Sequence, residues 1–260
     1  MLAIGCDVGT MFTKTVVMDN GIVMAHDITR NTGALNEIVK ASLHNAVSKA
    51  GVSLDDIEVR GGTGMGDKYI RIDHVNEGII KCIAKGASWV LEGVRTVVDL
   101  GGLSTSIISL NENGKVLEYR TSDKCASGSG FFLELAAQAL ELSIEDMGKT
   151  VMEQQDCAHM STQCAVFCES EIVSHINDGI DVKSIVGGIN YSLGSGIATM
   201  INRLGAKPAI LVTGGVAKSR GVVHAVQRYL GTDVVSTIPA DHQLIAAIGA
   251  ALCAQERGRP

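Results

Sequence analysis

Residues 4–14 read Ile-Gly-Cys-Asp-Val-Gly-Thr-Met-Phe-Thr-Lys, and this stretch decides the fold of the chain. An apolar run ends at an aspartate, a glycine-rich bend follows, and a second apolar run leads to Asp19-Asn20-Gly21, which predicts a β-hairpin. Residues 97–117 repeat the pattern with Asp99, a Gly-Gly bend and an Asn-Gly turn, and in both copies a Thr follows the Asp by six positions. Two matched units predict a duplicated fold whose halves close on a polyphosphate.

The two bends contain the groups that bind phosphate. A glycine-rich bend offers backbone N–H groups to phosphate oxygens, and hydroxyl side chains add further donors. The carboxylate at the end of each preceding strand can position a metal ion or a water molecule. We therefore expect Asp7 and Asp99 to be the catalytic carboxylates, facing the phosphates from two sides.

The composition agrees with an α/β protein of two domains. The chain has 260 residues, of which 46% are hydrophobic and only 3% aromatic, so the expected core consists of Val, Ile, Leu and Ala. The net charge of −6 argues against nucleic-acid binding. No apolar run is long enough to span a bilayer, so we expect a soluble, cytoplasmic protein without a membrane partner. The seven cysteines are then expected to be thiols, metal ligands or redox groups.

Apolar spacing predicts the order of the elements. The first half, residues 1–94, is predicted to contain hairpin strands over 1–28, a strand near 56–60, and helices over 34–50 and 74–92. The second half, residues 95–240, begins with the second hairpin. Its other predicted elements are helices over 129–141, 143–154, 164–178, 183–204 and 219–230, and strands over 209–213 and 233–236. A last helix over 241–254 is expected to return, with residues 241–260, to the first half.

A third glycine turn reads Thr-Gly-Gly-Val-Ala over residues 213–217. Such a turn at a strand end lets a flat ring approach the backbone, and ligands of open α/β sheets bind beyond strand ends. With the two aspartate units in this order, the chain resembles the actin, sugar kinase and heat-shock-protein ATPase superfamily. The resemblance implies two similar actin- or ribonuclease-H-like halves with a nucleotide cleft between them.

The same resemblance implies three sets of residues that bind ATP or ADP with Mg²⁺. The first loop would hold phosphates, the second loop would hold them from the other side, and the third turn would hold the adenosine. The implied residues are Thr10, Met11, Phe12, Thr13 and Lys14 in the first loop, Gly101 and Gly102 in the second, and Gly214, Gly215, Lys218 and Gln243 near the adenosine.

Two cysteines stand where helices are predicted to begin. Cys125 precedes the helix over 129–141, and Cys164 opens the helix over 164–178, with Ser161 or Thr162 as its cap. The helix dipole and free N–H groups favour a thiolate there, which is the form that ligates an iron–sulfur cluster. Two thiolates are half of the four that a [4Fe-4S] cluster needs, and a two-fold axis between two chains would supply the others.

The segments around these cysteines, residues 123–130 and 164–171, resemble those of the ATP-dependent activators of 2-hydroxyacyl-CoA dehydratases and of the ATPase subunits of benzoyl-CoA reductase. The resemblance implies one [4Fe-4S] cluster, held by Cys125 and Cys164 in a homodimer or between paired homologous subunits. It implies that ATP hydrolysis drives an electron from ferredoxin or flavodoxin to a dehydratase or reductase component. The chain departs from the activators at Leu103-Ser104, where Gln-Asp is usual, and the segment from Cys125 is more like that of a reductase subunit.

The cysteines separate this function from two alternatives. A small-molecule kinase of pantothenate or amino-sugar type shares the glycine loops but has no use for cysteines at helix starts. A filament- or chaperone-type ATPase module would need a polymer interface or a peptide-binding domain. Cys6, Cys82 and Cys253 are expected to be packed thiols. Cys168, one helical turn after Cys164 and on the same face, could compete as a cluster ligand, but a packed thiol is the preferred interpretation.

Overall fold

The computed structural model describes residues 1–122, 129–160 and 165–258, and it has the predicted α/β architecture. Its contacts divide the chain into two units. Unit 1 comprises Met1–Val94, Leu110–Leu117 and Ile238–Pro260, and unit 2 comprises Arg95–Ser109 and Glu118–Thr237.

The described residues form strands and helices in alternating groups. The strands are β1 (Leu2–Val8), β2 (Phe12–Asp19), β3 (Ile22–Arg30), β4 (Val59–Thr63), β5 (Val75–Asn76), β6 (Thr96–Leu100), β7 (Thr105–Leu110), β8 (Val116–Ser122) and β9 (Ile210–Thr213). The α-helices are α1 (Leu35–Ala50), α2 (Ile79–Val90), α3 (Gly130–Ala139), α4 (Ile144–Lys149), α5 (Ala165–Asn177), α6 (Val182–Leu204), α7 (Arg220–Leu230) and α8 (Ile245–Arg257).

The first sheet has the strand order β3-β2-β1-β4-β5. Its central strand β1 pairs antiparallel with β2 and parallel with β4. The turn from β2 to β3 is Asn20-Gly21, and φ values of 46° and 82° give it the doubly left-handed backbone of a type I′ hairpin. The hairpin predicted from the Asn-Gly pair is therefore confirmed.

Alternation along β1 places helices on both faces of this sheet. Ile4, Cys6 and Val8 pack in one buried cluster with side chains of α1, whereas Ala3 packs in another with α8. Gly5 faces α8, and a methyl group there would overlap the backbone of Ala247. The absence of a side chain at Gly5 thus allows α8 to lie directly on β1, two residues before Asp7.

The second sheet has the order β8-β7-β6-β9, in which β6 pairs antiparallel with β7 and parallel with β9. Its core in unit 2 joins the inner side chains of β6 and β9 to those of α3, α5, α6 and α7. The largest fully buried side chains of this core include Phe132, Ile172 and Ile189. The parallel pairing brings the carboxyl ends of β6 and β9 to the same edge of the sheet, where Asp99 and Thr213 are register partners.

Three predicted elements are shorter in the structure. The helix predicted over 74–92 begins at Ile79, because Val75 and Asn76 pair in parallel with Gly61 and Gly62 as β5. The helix predicted over 143–154 ends at Lys149. The strand predicted over 233–236 is reduced to Val235, which exchanges backbone hydrogen bonds with Ile210 and Val212 of the four-residue strand β9.

The two units differ from the predicted halves in two segments, Leu110–Leu117 and residues 238–240, both of which belong to unit 1. The segment Leu110–Leu117 carries the turn of the second hairpin. A Cβ at Gly114 in that turn would lie 2.6 Å from Ser88 Oγ of α2, so the hairpin tip packs on a helix of unit 1. None of the helices in the described parts of the chain is long and apolar enough to cross a lipid bilayer.

Candidate nucleotide-binding loops

Asp7, at the end of β1, forms a buried ion pair with Lys14. Asp7 Oδ2 lies 2.6 Å from Lys14 Nζ, and the two side chains are only 7% and 13% exposed. The pair follows from the hairpin register, in which Asp7 and Lys14 are cross-strand partners. Lys14 Nζ also donates to the carbonyl oxygen of Phe12 at 3.3 Å. The predicted phosphate-binding lysine therefore neutralises the predicted catalytic carboxylate.

Asn31 closes the first loop, and sequence reasoning missed it. Its side-chain amide nitrogen donates to the carbonyl oxygen of Gly9 at 2.9 Å, and its backbone N–H donates to the carbonyl oxygen of Met11 at 2.9 Å. Its side-chain oxygen accepts a hydrogen bond of 2.8 Å from the hydroxyl of the buried Thr13. Thr13 thus holds the loop in shape, while Thr10 is exposed at the tip. The only sequence signal for Asn31 is its position one residue after β3.

A second glycine segment lies against Asp7 from the end of β4. Gly64 has φ +94°, and a Cβ there would stand 2.5 Å from Asp7 Oδ1. The N–H of Gly66 donates to the carbonyl oxygen of Val8 at 2.9 Å. The segment 64–66 thus forms one wall of the first candidate site, because glycine alone allows the backbone to approach the carboxylate.

Asp99 is held by the third glycine turn. The hydroxyl of Thr213 donates to Asp99 Oδ1 at 2.9 Å, joining the ends of β6 and β9. The next residue, Gly214, has φ +83°, and a side chain there would overlap the backbone of Leu100. Gly215 and Lys218 are exposed in the short 3₁₀ turn that follows. The second and third predicted loops therefore meet within unit 2, and Thr213, which belonged to the motif but was not predicted as a site residue, joins them.

The second loop is bound to the start of α3. Gly101 N–H donates to the Ser104 carbonyl oxygen at 2.8 Å, which forms the bend itself. The N–H groups of Gly130 and Phe131, the first two residues of α3, donate to the carbonyl oxygens of Gly101 and Gly102, each at 2.9 Å. The loop carbonyls thus satisfy helix donors that would otherwise need other partners.

This contact corrects one expectation about Cys125. We expected free N–H groups at the start of its helix to favour a thiolate, but the helix begins at Gly130 with Ser129 as N-cap. Its first two N–H groups donate to the second loop, and that of Phe132 donates to the Ser129 hydroxyl at 3.4 Å. Cys125 itself and Cys164 lie outside the described residues, as do the predicted caps Ser161 and Thr162.

The other cysteines are consistent with structural roles. Cys6, Cys82, Cys168 and Cys253 are buried, as predicted for packed thiols. Burial raises the pKa of the Cys6 thiol to about 12, against the effect of a hydrogen bond from Thr15, so this thiol is inert at neutral pH. Among the residues that the structure describes, no cluster of three or more His, Cys, Asp or Glu side chains could hold a metal ion.

Gln243 belongs to unit 1, whereas the second and third glycine loops belong to unit 2. It lies in the turn His242–Leu244 that leads into α8, and its N–H donates to Asp241 Oδ1 at 2.9 Å. Asp241 thus caps the turn and fixes the backbone of Gln243. A contact between Gln243 and an adenosine stays a prediction.

The two-sheet α/β architecture, with glycine turns at the ends of β1, β6 and β9, places this protein in the class of actin-like ATPase and sugar kinase folds. The chain belongs to the BadF/BadG/BcrA/BcrD ATPase family, whose model matches residues 4–254. The family resemblance predicted from the cysteine and glycine motifs is therefore confirmed.

Dehydratase activators are among the proteins to which this chain is similar. The activator of lactoyl-CoA dehydratase from Anaerotignum propionicum is 34% identical, over 98% of this chain and 98% of its own. The 2-hydroxyisocaproyl-CoA dehydratase activator of Clostridioides difficile is 31% identical, over 100% of this chain and 97% of its own. The solved structure of the activator of the 2-hydroxyisocaproyl-CoA dehydratase from Clostridium difficile with bound ADPNP has a TM-score of 0.92 at 30% identity. The match between the two structures covers 99% of this chain and 96% of the chain of that activator.

Proposed function

We propose that this protein is an ATP-hydrolysing iron–sulfur electron-transfer protein that reductively activates a 2-hydroxyacyl-CoA dehydratase or a benzoyl-CoA reductase-type partner. One observation carries the proposal. The second glycine loop and the helix that follows Cys125 are joined by two hydrogen bonds, from Gly130 to Gly101 and from Phe131 to Gly102. A nucleotide that moves this loop would therefore move the chain next to a proposed cluster ligand.

For the nucleotide, we propose that Asp7 and Asp99 position Mg²⁺ and the attacking water, while the glycine bends donate N–H groups to the phosphates. The Thr213 hydroxyl fixes the Asp99 carboxylate for this task. The Lys14 ammonium, now 2.6 Å from Asp7, has a phosphate as its competing partner when ATP binds. Movement of Lys14 towards the phosphate would release the Asp7 carboxylate to bind hydrated Mg²⁺.

For the cluster, we propose Cys125 and Cys164 as the ligands, two from each of two chains. Cys125 precedes α3 by five residues and Cys164 precedes α5 directly, and these two helices pack together in the core of unit 2. A bound [4Fe-4S] cluster would supply a one-electron carrier of low potential. The second chain is another copy or a homologous subunit, the donor is ferredoxin or flavodoxin, and the protein is cytoplasmic.

Iron content tests this proposal. Anaerobically reconstituted protein is expected to bind about four irons per two chains, by the stoichiometry of one cubane. Cys125→Ser and Cys164→Ser are expected to lose the iron. The matched control is Cys157→Ser, because Cys157 is the most exposed of the described cysteines. Burial is the main cause that raises the pKa of the Cys157 thiol. Full iron in a monomeric wild-type protein, or in both ligand variants, would contradict the assignment.

Activity distinguishes the proposed function from the kinase alternative. The proposed activator is expected to hydrolyse ATP in the absence of any phosphate acceptor and to support turnover of a dehydratase or reductase component when a low-potential reductant is supplied. A small-molecule kinase would instead release ADP in proportion to phosphorylated pantothenate or amino sugar. Stoichiometric transfer of phosphate to such an acceptor, without iron in the protein, would favour the kinase.

A further inference from the structure

Two buried cysteines of unit 1, Cys82 of α2 and Cys253 of α8, lie on facing helices. The helices run antiparallel, because Gly86 contacts Ile245 whereas Cys82, one turn earlier on α2, contacts Gly249, one turn later on α8. A methyl group at Gly249 would overlap the carbonyl oxygen of Cys82, so the helix axes are unusually close here. Neither thiol has a role in the proposed nucleotide or cluster chemistry.

The direction of helical side chains explains why the two thiols meet. A side chain on an α-helix leans towards the N-terminus of its own helix. Cys82 therefore leans towards the start of α2, and Cys253 leans towards Gly249. Since the helices are antiparallel and Cys253 lies one turn beyond Gly249, both side chains lean into the same space. The Cys82 thiol donates to the carbonyl oxygen of Glu77 at 3.8 Å, each thiol shifts the pKa of the other, and the residues are 0% and 1% exposed.

The surroundings of the two thiols make them chemically unequal. The neighbouring Cys82 side chain lowers the pKa of Cys253, burial opposes this, and the positive charge of Lys81 adds to the lowering. The neighbouring Cys253 side chain, together with burial, raises the pKa of Cys82. One sulfur is therefore disposed to react as a thiolate and the other keeps its proton, as in dithiol pairs that form disulfides.

We propose that Cys82 and Cys253 are a redox-active dithiol that closes to a reversible disulfide between α2 and α8. With hydrogen peroxide as the oxidant, the Cys253 thiolate attacks one peroxide oxygen, the O–O bond breaks, and a sulfenic acid and hydroxide form. The Cys82 sulfur then attacks the Cys253 sulfur, forming the S–S bond and releasing the sulfenic oxygen as water with the Cys82 proton. Two thiols and one peroxide give one disulfide and two waters.

Peptide mapping of the folded, cluster-containing protein tests the proposal. Trypsin releases Cys82 in residues 82–85 and Cys253 in residues 229–257, so their disulfide has a distinct mass. The azo reagent diamide, which takes up two electrons and two protons, is the probe. After treatment and alkylation, we expect the linked peptides to contain roughly half or more of Cys253, and dithiothreitol to reverse this.

The variants Cys82→Ser and Cys253→Ser are expected to lack the linked peptides, while Cys157→Ser, at a half-exposed position, is expected to retain them. The decisive measurement is made on the wild-type protein, so it does not depend on the folding of any variant. Recovery of both Cys82 and Cys253 as free, alkylated thiols, in a sample where Cys157 has been oxidised, would overturn the proposal. A linkage of either residue to a different cysteine would overturn it as well.

Discussion

At the scale of single residues, the two matched aspartates have different surroundings. Asp7 is paired with a cation, Lys14, at 2.6 Å, whereas Asp99 accepts a hydrogen bond from a neutral hydroxyl, that of Thr213, at 2.9 Å. A duplicated backbone pattern has thus acquired two different carboxylate environments. The difference suggests separate tasks, with Asp7 exchanging its partner when a phosphate arrives and Asp99 held in one orientation.

Removal of the Thr213 hydroxyl tests the fixed orientation of Asp99. We expect Thr213→Val to lower kcat for ATP hydrolysis by about tenfold or more, since a hydrogen bond to a charged group contributes about 1.5–3 kcal/mol. KM for ATP is expected to change little, because Thr213 is a positioning residue. Thr213→Ser keeps the hydroxyl and is expected to restore the rate. An unchanged kcat in the Val variant would contradict the role.

The ion pair in the first loop leads to a second prediction, in which stability and catalysis separate. Asp7→Asn leaves the 13%-exposed Lys14 ammonium without its carboxylate, so we expect the free energy of unfolding to fall by about 3 kcal/mol. ATP hydrolysis is expected to be lost, while ADP affinity stays within roughly tenfold, or about 1.4 kcal/mol.

The double variant Asp7→Asn/Lys14→Met removes the stranded charge and is the matched control. It is expected to recover most of the stability in urea unfolding but none of the hydrolysis. If the single and double variants were equally unstable, the loss would come from loop packing and not from the ion pair.

At the scale of elements, the ends of β6 and β9 depend on the backbone at Gly214. This residue has φ +83°, and a side chain would overlap the backbone of Leu100, so Gly214→Ala meets both conformational strain and a clash. The matched control is Gly231→Ala at the end of α7, where φ is +64° but no atom lies within 4 Å of the added methyl group. Comparison of the two variants therefore separates the energetic cost of the clash from that of the backbone strain.

We expect Gly214→Ala to lower the free energy of unfolding by about 3 kcal/mol or more, against about 1 kcal/mol for Gly231→Ala. Urea denaturation measures both values. Equal losses in the two variants would mean that the contact between Gly214 and Leu100 relaxes without cost, and that the third turn need not be glycine for packing.

The elements also show how far the sequence predicts this structure. Local patterns, such as the Asn20-Gly21 turn and the apolar face of α1, predict elements because the conformation of a turn or helix depends mainly on a few neighbouring residues. Long-range contacts were missed. β5 exists because Val75 meets Gly61, and Asn31 acts in the first loop because β3 returns it there. The Lys14–Asp7 pair could have been derived from the hairpin register, since the two residues are opposite each other.

At the scale of the whole molecule, the proposed activity requires that a nucleotide influence the segment that carries Cys125. Within unit 2 the connection is short, because Gly101 and Gly102 of the second loop accept hydrogen bonds from the first two N–H groups of α3. If ATP and ADP place this loop differently, they place the start of α3 differently. Linkage requires the reverse as well, so the oxidation state of the cluster is expected to alter nucleotide affinity by the matching factor.

A single hydrogen bond of this connection can be removed without disturbing the helix. Gly130 is the first residue of α3, where proline is well tolerated, and the extended backbone of Ser129 suits a residue before proline. Gly130→Pro removes the N–H that donates to Gly101, whereas Gly130→Ala keeps it. A Cβ at this position meets its nearest neighbour at 3.5 Å, an ordinary contact, so Gly130→Ala is expected to fold. In Gly130→Pro the ring Cδ takes the place of the N–H hydrogen, so this variant loses the donor and also moves the Gly101 carbonyl oxygen out of contact.

The rate at which bathophenanthroline removes iron measures how nucleotides affect the cluster. We expect the wild-type protein and Gly130→Ala to lose iron at different rates with ADP, with an ATP analogue and without nucleotide. Gly130→Pro is expected to bind iron and ADP normally, yet its three rates are expected to converge, because one of the two bonds between loop and helix is missing. Three identical rates in the wild-type protein would mean that nucleotide and cluster are uncoupled. Undiminished differences in Gly130→Pro would mean that coupling follows another path.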